Sequence, residues 1–164
     1  MKKIWLIVTL VCLFQSVVAQ ERKNYLHLYN PEADKDSAIQ TATEKAGREG
    51  KNVLLQIGGN WCIWCKYFHN MLEQNDSLKR LMNQNYEVVY VAYEKADKAN
   101  PIWAKLGFPQ RFGFPVFVIL NAKGERIHIQ NSVYLEEGKG YDEERVKEFL
   151  QQWTPEAVSG QSIK

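Results

Sequence analysis

Cysteine is scarce in this chain: Cys12, Cys62 and Cys65 are the three present in 164 residues. That excludes a small scaffold stapled by several disulfides. Histidine is equally scarce, and His27, His69 and His128 stand far apart, so a structural zinc site lacks the four ligands it needs. Beyond the first twenty residues there is no long apolar run, and hence no segment of the roughly 20 residues that a membrane-spanning helix requires. Internal repeats and low-complexity linkers are missing too. Charge of one sign is hardly in excess, with 21 Lys and Arg against 19 Asp and Glu. Nothing in that balance points to nucleic acid or to an anionic membrane surface.

What is present begins with a leader-like segment. Met1-Lys2-Lys3, an apolar run over 4–14 and Gln15-Ser16-Val17-Val18-Ala19 are the parts of a secretory signal peptide, expected to be cut after Ala19. Residues 1–19 are then the signal peptide and 20–164 one exported domain, placed in the periplasm. Cys12 follows Val11, which is not small, and lies inside the apolar run, so no lipid anchor is expected. About 145 residues remain, enough for a single domain with a real core. Cleavage would also remove Cys12, leaving Cys62 and Cys65 alone in a compartment where thiols can be oxidised.

The pattern along the chain alternates helices and strands. Asp36-Ser37 reads as a helix start, with Ala38, Ile39, Ala42 and Ala46 on one face of a helix over 36–49. Val53-Leu54-Leu55-Gln56-Ile57 reads as a strand buried on both faces. Gly58-Gly59-Asn60 breaks it, and Cys62, Cys65, Phe68, Met71 and Leu72 then recur at helical spacing. Leu78, Leu81 and Met82 continue that stripe after Asn75-Asp76-Ser77, as a kinked continuation or a third helix. Residues 86–93, "YEVVYVAY", predict a central strand. Pro101 starts a short helix that stops at Gly107. Residues 116–120 and 126–130, around Asn121-Ala122-Lys123-Gly124, read as a hairpin. Residues 132–142 read as a loop, and Val146, Phe149, Leu150 and Trp153 as one face of a last helix. This order predicts an α/β fold with a mixed four- to five-stranded sheet between helices.

The chemistry concentrates in "NWCIWCKYF", residues 60–68. A disulfide that closes so short a loop restricts the unfolded chain little, which makes it a poor staple. Covalent haem attachment requires His after the second cysteine, where Lys66 stands. A thiol at a helix N-terminus faces unpaired N–H groups and the positive end of the helix dipole, both of which favour thiolate. Cys62 is therefore expected to be the exposed attacking thiol and Cys65, one turn on and pointing inward, the resolving thiol. A copper(I) carrier and a non-enzymatic binding module with an incidental disulfide stay open as rival readings. Lys66 and His69 read as ordinary helix residues. Trp61, Trp64, Phe108, Phe112 and Phe114 lie near the dithiol in sequence and read either as core or as a peptide-contact surface, with Trp64 expected to be partly open.

The strand "VLLQI", then "GGNWCIWCK" opening a helix, then "GFPVFVIL" resembles the thioredoxin superfamily, over roughly residues 34–153. Within it, the context "IGGNWCIWCKYFHNML" is similar to exported thioredoxin-like proteins of the thiol:disulfide interchange type. The resemblance implies a thioredoxin-like three-layer sandwich. Its implied function is thiol–disulfide oxidoreduction on protein or peptide cysteines, without a cofactor or metal, by a monomer fed by a membrane electron donor. It makes Cys62 and Cys65 the redox pair and Trp61 a support of the active-site surface. Pro115 becomes a cis-proline, with the backbone just before it, at Phe114, pairing with substrate. Trp64, between the cysteines, joins that substrate-contact set. The absence of histidine from Ile63-Trp64 leans the expectation to the reductive or interchange side. One position departs from the pattern: the superfamily's buried aspartate six residues before the first cysteine is Gln56 here, which can hydrogen-bond but cannot take a proton at neutral pH.

Overall fold

The computed structural model describes residues 27–160. The expected leader therefore lies outside the described residues. Helix α1 (Lys35–Glu49) is capped by Asp34, whose carboxylate accepts the Ser37 N–H, and ends at Gly50 in the left-handed conformation that a side chain would resist. Strand β1 (Asn52–Gly58) follows, buried at every position. Helix α2 (Ile63–Gln74) opens at the dithiol. Asn75 ends it and begins α3 (Asp76–Asn85), its side chain accepting from both Ser77 N and Leu78 N, so the expected stripe is two helices rather than one kinked helix. Then come β2 (Tyr86–Ala92), a short α4 (Ile102–Lys105), β3 (Val116–Leu120), β4 (Arg126–Asn131), a tiny pair β5 (Glu136–Glu137) and β6 (Gly140–Tyr141), and finally α5 (Glu143–Gln152) and α6 (Pro155–Val158).

The main sheet has the order β2-β1-β3-β4. β1 runs parallel to β2 and antiparallel to β3, and β3 and β4 form the expected hairpin. Two expectations are corrected. Residues 86–92 make an edge strand, not a central one. Their apolar run reflects packing on both faces, with Val88 in one core layer and Val89 and Val91 in the other. Residues 132–142 are ordered by a 3-10 turn and the β5–β6 hairpin, in which Tyr141 packs edge-on against Phe68 of α2.

The alternation of strand side chains builds three layers. Leu54 of β1 and Phe117 and Ile119 of β3 point into a core shared with Phe68, Leu72, Leu78, Val146, Phe149 and Leu150 of α2, α3 and α5. Val53, Leu55 and Ile57, with Val116, Val118 and Leu120, point the other way, against Ala46 of α1 and Ile102 and Trp103 of α4. Burial of each such Leu, Ile or Phe contributes about 1.5–3 kcal/mol, which holds the sheet rigid between its helices. The parity has a consequence for the site: Gln56 and Gly58 share the Leu54 face and so look toward the start of α2.

Candidate active site

β1 delivers the chain to a tight turn at 59–61, where Cys62 N–H donates to the Gly59 carbonyl at 2.9 Å. Cys62 keeps extended backbone angles (φ −85°, ψ 108°) and is the N-cap of α2; its Sγ accepts the Cys65 N–H at 3.2 Å. Cys62 and Cys65 are joined as a disulfide across Cα atoms 5.3 Å apart. Cys65 is fully buried on the inner face, as expected. The expectation of an exposed Cys62 is corrected: it is 4% exposed, packed in one cluster with Tyr29, Cys65 and Ala92 and flanked by Phe114 and Trp64.

The Phe114–Pro115 peptide bond is cis. Pro115 is buried at the mouth of β3, one residue before Val116, which pairs with Ile57 at the end of β1. Phe114, half-buried, stands edge-on to Trp61 with ring centroids 5.3 Å apart, and packs on Tyr93 at 4.6 Å. Trp61, Tyr93, Glu94, Lys95 and Phe114 line a mainly apolar groove of about 380 Å³. Trp61 is 57% exposed and its indole N–H donates to the Tyr93 carbonyl at 3.4 Å.

The other aromatics separate from this groove. Trp64 is partly exposed, as expected, and Trp61 is more open still. Trp64 stacks edge-on with Tyr67 and Tyr141, and its carbonyl accepts the Tyr141 hydroxyl at 3.3 Å. Phe108 and Phe112 are exposed, with the Arg111 guanidinium over the Phe112 ring, and form no ring pair with Trp61 or Phe114 among the described residues. Lys66 is half-buried on α2. His69 shares a hydrogen bond with the Tyr90 hydroxyl at 3.3 Å, and burial holds its imidazole below the ordinary histidine range. Among the described residues no group of three His, Cys, Asp or Glu side chains is placed to hold a metal ion, and no helix is long and apolar enough to cross a membrane.

Two residues escape the sequence reading. Tyr29, 2% exposed, lies over the dithiol with its hydroxyl accepting Gln56 Nε2 at 2.8 Å. Asn60 ties it down: Asn60 Oδ1 accepts the Tyr29 N–H and Asn60 Nδ2 donates to the Tyr29 carbonyl. Leu28 and Tyr29 precede Pro31 in a segment without periodicity, so the available signal was two apolar residues in polar surroundings. Gln56, also buried, donates in addition to the Cys65 carbonyl at 3.4 Å. The position expected to differ in chemistry thus bridges Tyr29 and the second cysteine.

Comparison with known proteins agrees with this geometry. A family profile described as "Thioredoxin-like" matches residues 34–122, more than half of the chain. Spermatogenesis-associated protein 20 of Mus musculus is 33% identical over 85 residues, and that of Homo sapiens is 31% identical over 85. Each match takes in 51% of this chain but 11% of the relative, so the chain spans about a tenth of the length of these proteins. Among solved structures, a disulphide isomerase from Xylella fastidiosa Temecula1 superposes with a TM-score of 0.66 at 22% identity, covering 76% of this chain and 95% of its own. The three layers, the cis-proline beside a helix-start Cys-x-x-Cys and the matched profile place the chain in the thioredoxin-like family.

Proposed function

We propose that the chain is an exported thiol–disulfide oxidoreductase that exchanges disulfides with protein or peptide cysteines through Cys62 and Cys65, on the reductive or interchange side. The observation that carries this reading is Cys62 at the N-cap of α2, its Sγ on the Cys65 N–H. Once the disulfide is reduced, that N–H and the helix dipole favour the Cys62 thiolate over the thiol. The thiolate attacks a substrate disulfide, one substrate sulfur leaves as thiolate, and a mixed disulfide forms at Cys62. Cys65 then loses its proton and attacks the Cys62 sulfur, expelling the second substrate thiolate and restoring the Cys62–Cys65 bond. Two electrons pass from the dithiol to the substrate, and the two leaving thiolates take up protons.

Trp61, Phe114 and Pro115 form the substrate-contact surface in this reading, with the groove beside them receiving the chain that flanks the substrate cysteine. Trp64 borders the other side of the dithiol. Residues 1–19 act as the leader that delivers the domain 20–164 to the periplasm, where a membrane donor would reduce it again. The activity in the name of the Xylella protein enters only as a parallel within the same fold.

Equilibration in glutathione buffers, with Cys62 alkylation followed against pH, tests the reading. The expected result is a two-electron redox equilibrium, a Cys62 midpoint below the roughly 8.5 of a free thiol, and reduction of insulin disulfides. A Cys62 that titrates as a free thiol, with insulin left intact, would reduce the chain to a binding module. In the source cells, Cys65→Ser should trap substrates as mixed disulfides on Cys62.

A further inference from the structure

The resolving step of the proposed cycle requires a buried thiol to become a thiolate, and no carboxylate stands where the superfamily keeps one: Gln56 occupies that place. The surroundings of Cys65 show what stands there instead. A Cβ built on Gly58 would overlap Cys65 Sγ and come 2.9 Å from Tyr29 Oη, so the sulfur and the phenol oxygen converge on the one small space that a glycine leaves open. Gln56 Nε2 donates to Tyr29 Oη at 2.8 Å and, at 3.4 Å, to the Cys65 carbonyl. The amide thereby occupies an acceptor site of the phenol and leaves the phenol's own hydrogen to be placed. Among the described residues that hydrogen has no oxygen or nitrogen acceptor, and Cys65 Sγ, which accepts no hydrogen bond from it in the disulfide state, borders the same space at Gly58.

We infer that Tyr29 is the hydrogen-bond donor that stabilises the Cys65 thiolate during resolution, in place of an acid at position 56. The inference rests on the thiol–disulfide reading above. Tyr29 keeps its proton throughout. The Cys65 proton passes to solvent or to the departing substrate thiolate, while the phenol O–H turns toward the sulfur as negative charge develops on it. Burial drives the phenol's own ionisation well above its ordinary range, which suits a donor and rules out a base at neutral pH. The frame is fixed on three sides: Asn60 pairs with the Tyr29 backbone, Tyr90 stacks edge-on at 5.6 Å, and Gln56 holds the oxygen. The titratable groups facing Tyr29 are Cys62 and Cys65 at the start of α2, Tyr90 of β2 and Tyr141 of the β5–β6 hairpin, none of them a permanent charge.

The test is stopped-flow reaction of the reduced full-length protein carrying Cys12→Ser, which leaves Cys62 and Cys65 as its thiols, with 5,5′-dithiobis(2-nitrobenzoate). Attack by Cys62 releases one coloured thiolate and leaves a mixed disulfide; attack by Cys65 then releases the second and closes the Cys62–Cys65 bond, so one dithiol is oxidised for two coloured thiolates formed. Tyr29→Phe should leave the first phase unchanged, slow the second about tenfold at pH 7 and move its pH midpoint up by about one unit, as expected for losing one hydrogen bond to a charged group. Tyr90→Phe, which removes the neighbouring hydroxyl, should alter neither phase. If Tyr29→Phe proves unstable, 3-fluorotyrosine at position 29 keeps the fold and, as a more acidic donor, should move the second midpoint down. A second phase with the same rate and midpoint in Tyr29→Phe, an unmoved midpoint with the fluorinated side chain, or equal slowing by Tyr90→Phe would overturn the inference alone. A wild type that releases only one coloured thiolate would overturn the redox reading as well.

Discussion

Asn60 pairs with the backbone of Tyr29 as a strand would: Oδ1 accepts the Tyr29 N–H at 3.1 Å and Nδ2 donates to the Tyr29 carbonyl at 2.8 Å. The residue two positions before Cys62 thereby holds an N-terminal strap over the dithiol. Each of these bonds contributes about 1 kcal/mol net. Asn60→Ala should therefore cost about 2 kcal/mol in urea unfolding and speed hydrogen exchange at the Tyr29 amide, while exchange in β1 and β3 rises by no more than the global loss of stability.

Gly58 is required for close approach rather than for backbone freedom. Any Cβ there would overlap Cys65 Sγ and crowd the Tyr29 hydroxyl. Gly58→Ala must displace the strap or the start of α2, and overpacking of this kind costs about 1–3 kcal/mol. The expected outcome is a lower thermal midpoint together with increased solvent exposure of Tyr29, measured by NMR.

His69 gives the protein a pH-dependent component of stability. Burial lowers its imidazole below the ordinary value of about 6.5, opposed by Glu73 and aided by Lys79, with the Tyr90 hydroxyl as its hydrogen-bond partner. A depressed folded-state value means that the unfolded chain binds the proton more readily. The associated stability is complete above about pH 6.5 and is lost as pH falls through the lowered native midpoint. Urea unfolding between pH 5 and 7 should show that slope, and His69→Gln should flatten it.

The three-layer architecture was readable because its signals are local. The run at 53–57, the glycine break and the helical recurrence from Cys62 each depend on a few neighbouring residues. The reading of 86–93 as a central strand failed because apolar density reports packing on the faces of a sheet, which an edge strand under two helices also has, and carries no information on which edges are paired. Cys62 proved closed because its cover comes from Ala92 and Phe114, far along the chain. Tyr29 was invisible for the same reason: its role depends on Asn60 and Gln56, 31 and 27 positions away, and no periodicity marks such a contact. Trp64 is partly open as its place between the cysteines suggested, but its contact with Tyr141 was not legible, because that residue lies on a hairpin read as a loop.

Trp61 separates substrate contact from redox chemistry. Its ring is 57% exposed, so truncation removes little from the core, and Trp61→Ala should change folding stability by less than about 1 kcal/mol. Yet it forms one wall of the groove with Phe114 and Tyr93, beside the cis-proline. An exposed aromatic that desolvates on contact contributes about 1–2 kcal/mol to binding, which is about tenfold in affinity. Peptide disulfides long enough to reach the groove should therefore lose about tenfold in kcat/KM, through KM. Glutathione disulfide, too short to cross it, should react at an unchanged rate because Cys62 and its N-cap hydrogen bond are untouched. Equal losses for both substrates would place Trp61 in the support of the dithiol rather than in the recognition of the peptide.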